Sequence, residues 1–348
     1  MIHDGRAGAS GKMMAVMIIA VVAVAGVAAY LLIGAPTQSS VTFALGGPAG
    51  PEDAPFYYAV QQGYYASEGL NVTIIPGSPG TPGVSAVSTG EVSFALNYAP
   101  AVTLSLLTAN VTNVKIVAAL YAKSPLGIVY NTAKVSSPSD VYNTTGAALN
   151  PSIGSSTRLF LYQAKQEYPN LTPPIFYGTS QATVNQFLLT GQADWAIAGA
   201  QNLALLQPAA AAKGIQLGFM SFDSLGIHTL GYVLLTSEAM LQSHSGTVKG
   251  FVLATLKGMV GAALNPSAAA AAEADFQPQL SQTKMLDGFN MDVSCCMSGV
   301  TQSTNPLVYG YVDPALMQQT VNLIAALSGR TTNIDATQFY TNAYTQAA

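Results

Sequence analysis

The stretch FYYAVQQGYYASEGLNV, residues 56–72, carries the pattern that governs the fold. Its aromatic residues recur at helical spacing, which predicts a helix over 54–67, and its end leads into a predicted strand over 71–76. Further strands are predicted at 41–45, 92–96, 114–120, 146–149, 175–177, 194–198 and 215–221. The helices between them are predicted at 82–88, 99–107, 156–167, 182–189 and 203–213. Such alternation is typical of an α/β fold with mostly parallel sheets.

Two apolar runs, 126–130 and 230–235, break the alternation and are predicted to be strands that cross between two lobes. An internal similarity also indicates two lobes. TGEVSFAL at 89–96 resembles TGQADWAI at 190–197, and in both a Thr-Gly pair ends a helix just before a strand. Glycine at that place fits a left-handed helix end. From residue 237 onward the chain is predicted to be mainly helical.

Residues 56–72 resemble the signature A-x-x-x-G-[YF]-[YF]-x-x-E-G-L-x-V of a known family. This family comprises the solute-binding proteins of ABC importers in the sulfonate, taurine, nitrate and thiamine-pyrimidine branch, also called SsuA/THI5-like. TGEVSF at 89–94 is similar to a second motif of the family, with Ser93 in place of the usual Asp, and TGQAD at 190–194 to a third. The resemblance covers about residues 41–235.

The resemblance implies a type II periplasmic-binding-protein fold, which has two α/β lobes joined by a hinge. Lobe one would comprise residues 41–127 and 232–348, and lobe two residues 128–231. It also implies a monomer without cofactor or catalytic residues, which captures a small organic or anionic ligand between the lobes. The partner would be an ABC permease in the membrane.

Residues 13–35 predict a membrane anchor, because they carry no charge and no proline over a length that spans a bilayer. Arg6 and Lys12 precede this segment and favour a cytoplasmic N-terminus, residues 1–12, by the positive-inside rule. Residues 36–40 would be a linker to an extracellular body. A cleaved signal peptide is the alternative, but its apolar region is usually only ~7–15 residues long.

The composition excludes several classes of function. Charged residues make up 8% of the 348 residues and the formal net charge is −4, which gives no electrostatic basis for binding nucleic acid. Two adjacent cysteines cannot provide a zinc site, and no metal site is predicted. The chain contains no nucleophile elbow, zinc-protease helix or phosphate loop.

Candidate ligand-binding residues follow from the rule that open α/β sheets bind ligands beyond the carboxyl ends of their strands. In lobe one these are Phe56, Tyr57, Ser78, Thr81, Asn97, Tyr98 and Tyr121. In lobe two they are Ser155, Ser156, Thr157, Thr179 and Gln201, followed by Asp223 and His228 before the second crossing. So few charged residues in this set favour a neutral or singly anionic ligand.

Some of these residues have structural alternatives. Ser155 and Ser156 equally fit the cap of a helix. His228 equally fits a paired histidine between the lobes. Trp195, the only tryptophan, matches Phe94 in the internal similarity and is predicted to lie in the core rather than in the cleft.

Cys295 and Cys296 fit either a disulfide between neighbours or two packed thiols. Pyrimidine synthases of the same family carry a cysteine-rich motif, which this chain lacks, so the pair is not interpreted as catalytic. A binding protein for an importer is therefore the leading hypothesis. The alternatives are a pyrimidine-synthase-like enzyme and a ligand-sensing surface protein of the same fold.

Overall fold

The computed structural model describes residues 38–77, 83–109, 111–151, 155–169, 173–297, 299–330 and 333–347. The predicted anchor at 13–35 lies outside these residues. The chain from Ser40 onward forms one unit built on two five-stranded sheets.

The first sheet has the strand order β2-β1-β3-β10-β4. Its strands are β1 (Ser39–Ala44), β2 (Leu70–Ile75), β3 (Phe94–Tyr98), β4 (Val114–Ala119) and β10 (Tyr232–Ser237). Strands β1 and β3 are parallel, whereas β10 runs antiparallel to both β3 and β4. The helices in this part of the chain are α1 (Ala54–Gln61), α2 (Tyr64–Ser67), α3 (Gly83–Thr89) and α4 (Ala99–Thr108).

The second sheet has the strand order β7-β6-β8-β5-β9. Its strands are β5 (Leu126–Asn131), β6 (Gly146–Leu149), β7 (Ile175–Gly178), β8 (Trp195–Gly199) and β9 (Leu217–Ser221). Strand β6 is parallel to β7 and β8, and β5 is antiparallel to β8 and β9. The helices of this region are α5 (Pro138–Asn143), α6 (Ser155–Glu167), α7 (Gln181–Leu189) and α8 (Gln201–Ala211).

The C-terminal part is helical, as expected. It contains α9 (Glu238–Ser243), α10 (Ser245–Leu264), α11 (Pro266–Phe276), α12 (Gln282–Cys296), α13 (Pro306–Tyr309) and α14 (Pro314–Leu327). Helix α10 is long and apolar enough to cross a membrane, but 61% of its most apolar window is buried. It packs on α1, where a Cβ at Gly258 would lie 2.7 Å from that of Ala59. Helix α10 is therefore a core helix that packs with α1 on the first sheet.

Along the inner strands, such as β3 and β8, side chains are buried on both faces of the sheet, whereas the edge strands β2 and β7 are partly exposed. On β1, Phe43 faces the core formed with α1 and α10, and Ala44 faces the opposite core. That opposite core is continuous between the sheets, because α14 packs on both α4 and α6. A third core lies on the outer face of the second sheet, under α7 and α8.

Besides helix α5, which was not predicted, the structure differs from the predicted elements mainly in two places. The helix predicted over 54–67 is divided, because Gly63 adopts a left-handed backbone with φ +69° and starts a new turn. The runs predicted to cross between lobes are strands β5 and β10, each lying inside one sheet. The crossings themselves are the segments before them, residues 120–125 and 222–231.

The internal similarity is reproduced in three dimensions. Gly90 and Gly191 follow α3 and α7 with φ values of +77° and +72°, and both are left-handed helix ends. The aromatic residues that match, Phe94 and Trp195, are both fully buried. The prediction that Trp195 belongs to the core is confirmed.

Gly146→Ala should destabilise the protein by about 1–2 kcal/mol, because a Cβ there would lie 2.2 Å from the Trp195 ring. Urea unfolding followed by the fluorescence of Trp195 measures this. Gly246→Ala on α10 is the control, since no atom lies within 4 Å of its Cβ position. Equal stabilities of the two variants would contradict the described packing.

Candidate functional site

In each sheet, the parallel strands have their C-terminal ends at one edge, which is the carboxyl edge of the sheet. The carboxyl edges of the two sheets face each other, because both crossings join them. The first crossing runs from the end of β4 to the start of β5, and β5 starts opposite the ends of β8 and β9. The second crossing runs from the end of β9 to the start of β10, where Tyr232 pairs with Tyr98 at the end of β3. The strand ends of both lobes therefore lie on the two sides of one cleft.

The two crossings are held to each other by hydrogen bonds. The backbone N–H of Gly231 donates to the carbonyl of Tyr121 at 3.1 Å. The N–H groups of Leu120 and Tyr121 donate to the carbonyl of Tyr232, the first residue of β10, at 2.8 and 3.1 Å. The buried hydroxyl of Tyr98 lies 2.9 Å from Ser124 Oγ and 3.3 Å from Thr229 Oγ1, one in each crossing. Tyr98 thus links both segments at which the lobes are joined.

Tyr98→Phe should remove these two buried contacts and destabilise the protein by about 1–3 kcal/mol, because Ser124 and Thr229 lose a partner while the ring stays packed. Urea unfolding measures the loss. Tyr177→Phe is the control, since Tyr177 is 45% exposed on β7. A Tyr98→Phe protein as stable as wild type would show that the hydroxyl does not hold the crossings.

Four acidic residues, the carboxyl cluster, meet on the lobe-one side of the cleft. Glu52 and Asp53 form a 3-10 turn, Pro51–Asp53, that leads into α1. Glu273 lies on α11 and Asp292 on α12, and α12 packs on both this turn and α11. Asp53, Glu273 and Asp292 are at most 2% exposed, and Glu52 is partly buried.

Few hydrogen bonds reach the cluster. Asp53 Oδ2 accepts from the N–H of Gly50 at 3.1 Å, and Asp292 Oδ2 accepts from the Tyr121 hydroxyl at 3.5 Å. Asp53 Oδ1, Asp292 Oδ1 and both carboxyl oxygens of Glu273 have no partner. The ion pairs found within the described ranges use Glu68, Asp223 and Glu238, and none includes this cluster.

Burial raises the pKa values of these carboxyl groups, so they are weaker acids than usual. It raises the pKa of Glu273 to about 8, and the neighbouring charge of Glu52 adds to the effect. Burial also raises the pKa values of Asp53 and Asp292 well above their usual range, with a further increase from Glu52. In the free protein at neutral pH, part of the cluster therefore holds protons.

Lobe two reaches the cluster through the start of α8. Gln201, 8% exposed, donates from Nε2 to Glu52 Oε2 at 3.4 Å, while its Oε1 has no partner. Gly288 on α12 permits this approach, since a Cβ there would lie 2.5 Å from Pro51 Cγ and 3.4 Å from Gln201 Cβ. Asp292 follows Gly288 by one helical turn and shares its face.

Several of the predicted residues are brought together around the carboxyl cluster. Tyr57 is buried, and its hydroxyl accepts from Gln277 Nε2 at 2.9 Å. Tyr121 contacts Asp292, and Gln201 contacts Glu52. Tyr98 lies at the adjacent crossings, and Asn97 Oδ1 accepts from the Tyr98 N–H.

Other predicted residues lie elsewhere. Phe56 is 1% exposed and packs edge-on against Phe43 in the core, with 4.9 Å between ring centroids. Asp223 and His228 pair with each other at 2.6 Å on the exposed second crossing, where Lys123 also contacts Asp223. Thr179 is exposed after β7.

The predicted serine and threonine cradle of lobe two begins α6. The Thr157 hydroxyl donates to the carbonyl of Leu149 at the end of β6, and Ser156 is partly buried. Ser78, Thr81 and the side chain of Ser155 lie outside the described part of the structure.

The sequence analysis missed the carboxyl cluster and Tyr232. Glu52 and Asp53 carried a local signal, because they are adjacent acidic residues after the first strand in a chain with only 16. Glu273 stands out only as an acidic residue after an alanine run, and Asp292 has no local signal. Cys295 and Cys296, one turn beyond Asp292, form a disulfide.

The profile of the NMT1/THI5 like family matches residues 50–269, well over half of the chain. Three of the many solved structures that share its fold illustrate the likeness. A Candida albicans protein described as having the generic periplasmic binding protein fold is 12% identical, with a TM-score of 0.62 over 89% of this chain and 99% of that one. The ligand-binding component of an ABC-type import system from Staphylococcus aureus is 11% identical, with a TM-score of 0.63 over 89% and 99%.

The third is the alkanesulfonate-binding protein SsuA from Xanthomonas axonopodis pv. citri, which is 13% identical, with a TM-score of 0.61 over 88% of this chain and 100% of that one. No curated protein matches the sequence. The α/β fold with two sheets expected from the sequence is thus confirmed as a periplasmic-binding-protein fold. With the match to its profile, the chain belongs to the NMT1/THI5-like family.

Proposed function

We propose that this chain is the solute-binding component of an ABC importer. It captures a small organic ligand between its two lobes and delivers it to a permease, without catalysing a reaction. The observation that carries the proposal is the cleft itself. Two sheets present their carboxyl edges to each other across two crossings, and Gln201, which follows β8, contacts Glu52 beside buried carboxyl oxygens that have no partner.

The lobes in this proposal are residues 41–127 with 232–348, and residues 128–231. Tyr57, Tyr98, Tyr121 and Gln201 contact the ligand or shape its site, because they lie at the cluster or at the crossings. The two crossings are the hinge, since they alone would have to change direction for the lobes to separate. Residues 13–35 anchor the body outside the cell, beside the permease.

Recovery of the natural ligand tests the proposal. The full-length protein, purified in mild detergent, is incubated with small-molecule extract from its own cells, purified again and denatured. Mass spectrometry of the released fraction should detect one small molecule in about equimolar amount. Protein unfolded in urea before incubation is the control, because it has the same composition but no cleft.

Cross-linking in native membranes tests delivery. A membrane-spanning permease subunit should be linked to the body and identified by its peptides. If the protein releases no small molecule above the control and no permease subunit is cross-linked, the proposed function is wrong.

A further inference from the structure

We propose that the ligand is an organic cation rich in N–H donors, with a primary ammonium or guanidinium group held by Asp53, Glu273, Asp292 and Gln201. This inference rests on the proposed function, because it names the class of ligand that the same cleft takes. It differs from the neutral or anionic ligand expected from the sequence.

The first argument is the kind of atom left without a partner. Apart from the indole nitrogen of Trp195, the buried side-chain atoms that lack partners in the described residues are all oxygens of the cluster and of Gln201. Leaving a buried acceptor unpaired costs roughly 1–3 kcal/mol, and more when it is charged. A ligand with several donors would satisfy them together.

Gln201 provides the second argument, independent of the acidic residues. Its amide is neutral, 8% exposed and belongs to the other lobe. Its Nε2 donates to Glu52 in the cluster, and its acceptor oxygen, Oε1, lies over Gly199 and has no partner. A cation held by the cluster is then also held from lobe two, which is what lobe closure over a ligand needs.

The third argument is charge. None of the ion pairs in the described ranges reaches the cluster, so nothing there offsets its carboxylates. Any carboxyl group of the cluster that is ionised would repel an anion such as a sulfonate. Among the described residues, no three His, Cys, Asp or Glu side chains are arranged to hold a metal ion.

Tyrosine rings complete the site. Tyr121 and Tyr232 meet edge to face with 5.5 Å between ring centroids, and Tyr121 contacts Asp292. Tyr57 is buried nearby, on the helix that follows Asp53. Aromatic faces attract cations and accommodate the apolar part of an alkylamine.

Calorimetry with probes of defined charge tests the inference at pH 7 on the full-length protein. The cationic probes are agmatine and putrescine. Tetramethylammonium has the same charge without N–H donors, and ethanesulfonate and nitrate are anions. We expect agmatine or putrescine to bind at least ~10-fold more tightly than the other three, because each charged hydrogen bond is strong.

Binding should also release protons, since a cation favours the ionised carboxyl groups. Repeating the titration in two buffers of different ionisation enthalpy measures this release. The other titratable groups facing the cluster are Glu52, Tyr57, Tyr121 and Tyr232. Burial raises the pKa values of these three tyrosines above their usual range, so the protons come from carboxyl groups.

Two isosteric variants, Asp292→Asn and Glu273→Gln, should each weaken agmatine or putrescine binding about 10-fold or more and reduce proton release. Neither adds volume, and their thermal stability without probe shows that they are folded. Asp275→Asn, an exposed carboxylate on α11, is the matched control and should bind as wild type does.

Tighter binding of ethanesulfonate or nitrate would overturn the inference but leave the proposed function standing. The same holds if the molecule released from the cell extract is an anion. If no probe binds, or if the two variants bind cations as wild type does, the inference is overturned, because the cluster then holds only its own protons.

Discussion

The full-length protein without ligand is expected to lose stability to urea as the pH rises from about 4.5 to about 8. Glu273 has an ordinary pKa of 4.5, whereas burial raises its pKa in the folded protein to about 8. Between these values the unfolded state has released the proton that the folded state keeps, so raising the pH favours unfolding. The loss is on the order of 5 kcal/mol if Glu273 titrates alone.

Glu273→Gln should remove much of this pH dependence. The variant should be as stable as wild type near pH 4 and more stable near pH 8, because the amide never ionises. Asp275→Asn, exposed on the same helix, is the control and should keep the wild-type pH profile. A wild-type stability that is constant or increases from pH 5 to 8 would show that the cluster is ionised at little cost.

Gly288→Leu is expected to have the second large effect. Its Cβ would lie 2.5 Å from Pro51 Cγ, and the rest of the side chain would enter the junction of α12, the Pro51–Asp53 turn and α8. Since a proline ring cannot rotate away, the elements must separate, at a cost of about 3 kcal/mol or more. The melting temperature should fall by about 6–12 °C.

The same variant should also weaken capture of the natural ligand, because the added leucine side chain lies beside Gln201, Glu52 and Asp292. Mass spectrometry of ligand released from the extract measures the loss. Gly246→Leu on α10 is the matched control, since its side chain enters open space. If Gly288→Leu melts and captures ligand as wild type does, the junction described at the cleft is wrong.

A carboxyl cluster is compatible with the low charge of this chain. With 16 acidic residues in 348, few carboxyl groups are available, yet four of them meet at one site. Buried acidic groups destabilise the free protein at neutral pH, so they are retained at a cost. A ligand that compensates them would stabilise the closed protein through binding, in the manner expected of a solute-binding protein.

Local sequence predicted the helices and strands well where one pattern, such as a short apolar run or a glycine after a helix, is not opposed by another. Strand 146–149 lies where it was predicted, because its small residues pack beneath Trp195 and are bounded by polar turns. Gly90 and Gly191 ended their helices as predicted, because a left-handed backbone favours glycine. The break at Gly63 was missed, because the aromatic periodicity continues through it.

The candidate site was predicted only in part. Tyr98 was identified because it follows β3 directly, but the hinge contacts of its hydroxyl depend on residues 26 and 131 positions away. Phe56 and Tyr57 could not be told apart in sequence. Neighbouring residues on a helix point about 100° apart, so Phe56 packs in the core and Tyr57 lies beside the cluster.

The sequence alone determined the α/β class, the repeated helix–glycine–strand unit and the family, because these depend on short periodic patterns and motifs. Only the tertiary structure decided the charge of the cleft. Asp53 and Asp292 are 239 positions apart, and they meet because α12 returns to pack on the turn before α1. The burial that raises the pKa values of these carboxyl groups results from that packing. It cannot be predicted from the residues next to each of them in the sequence.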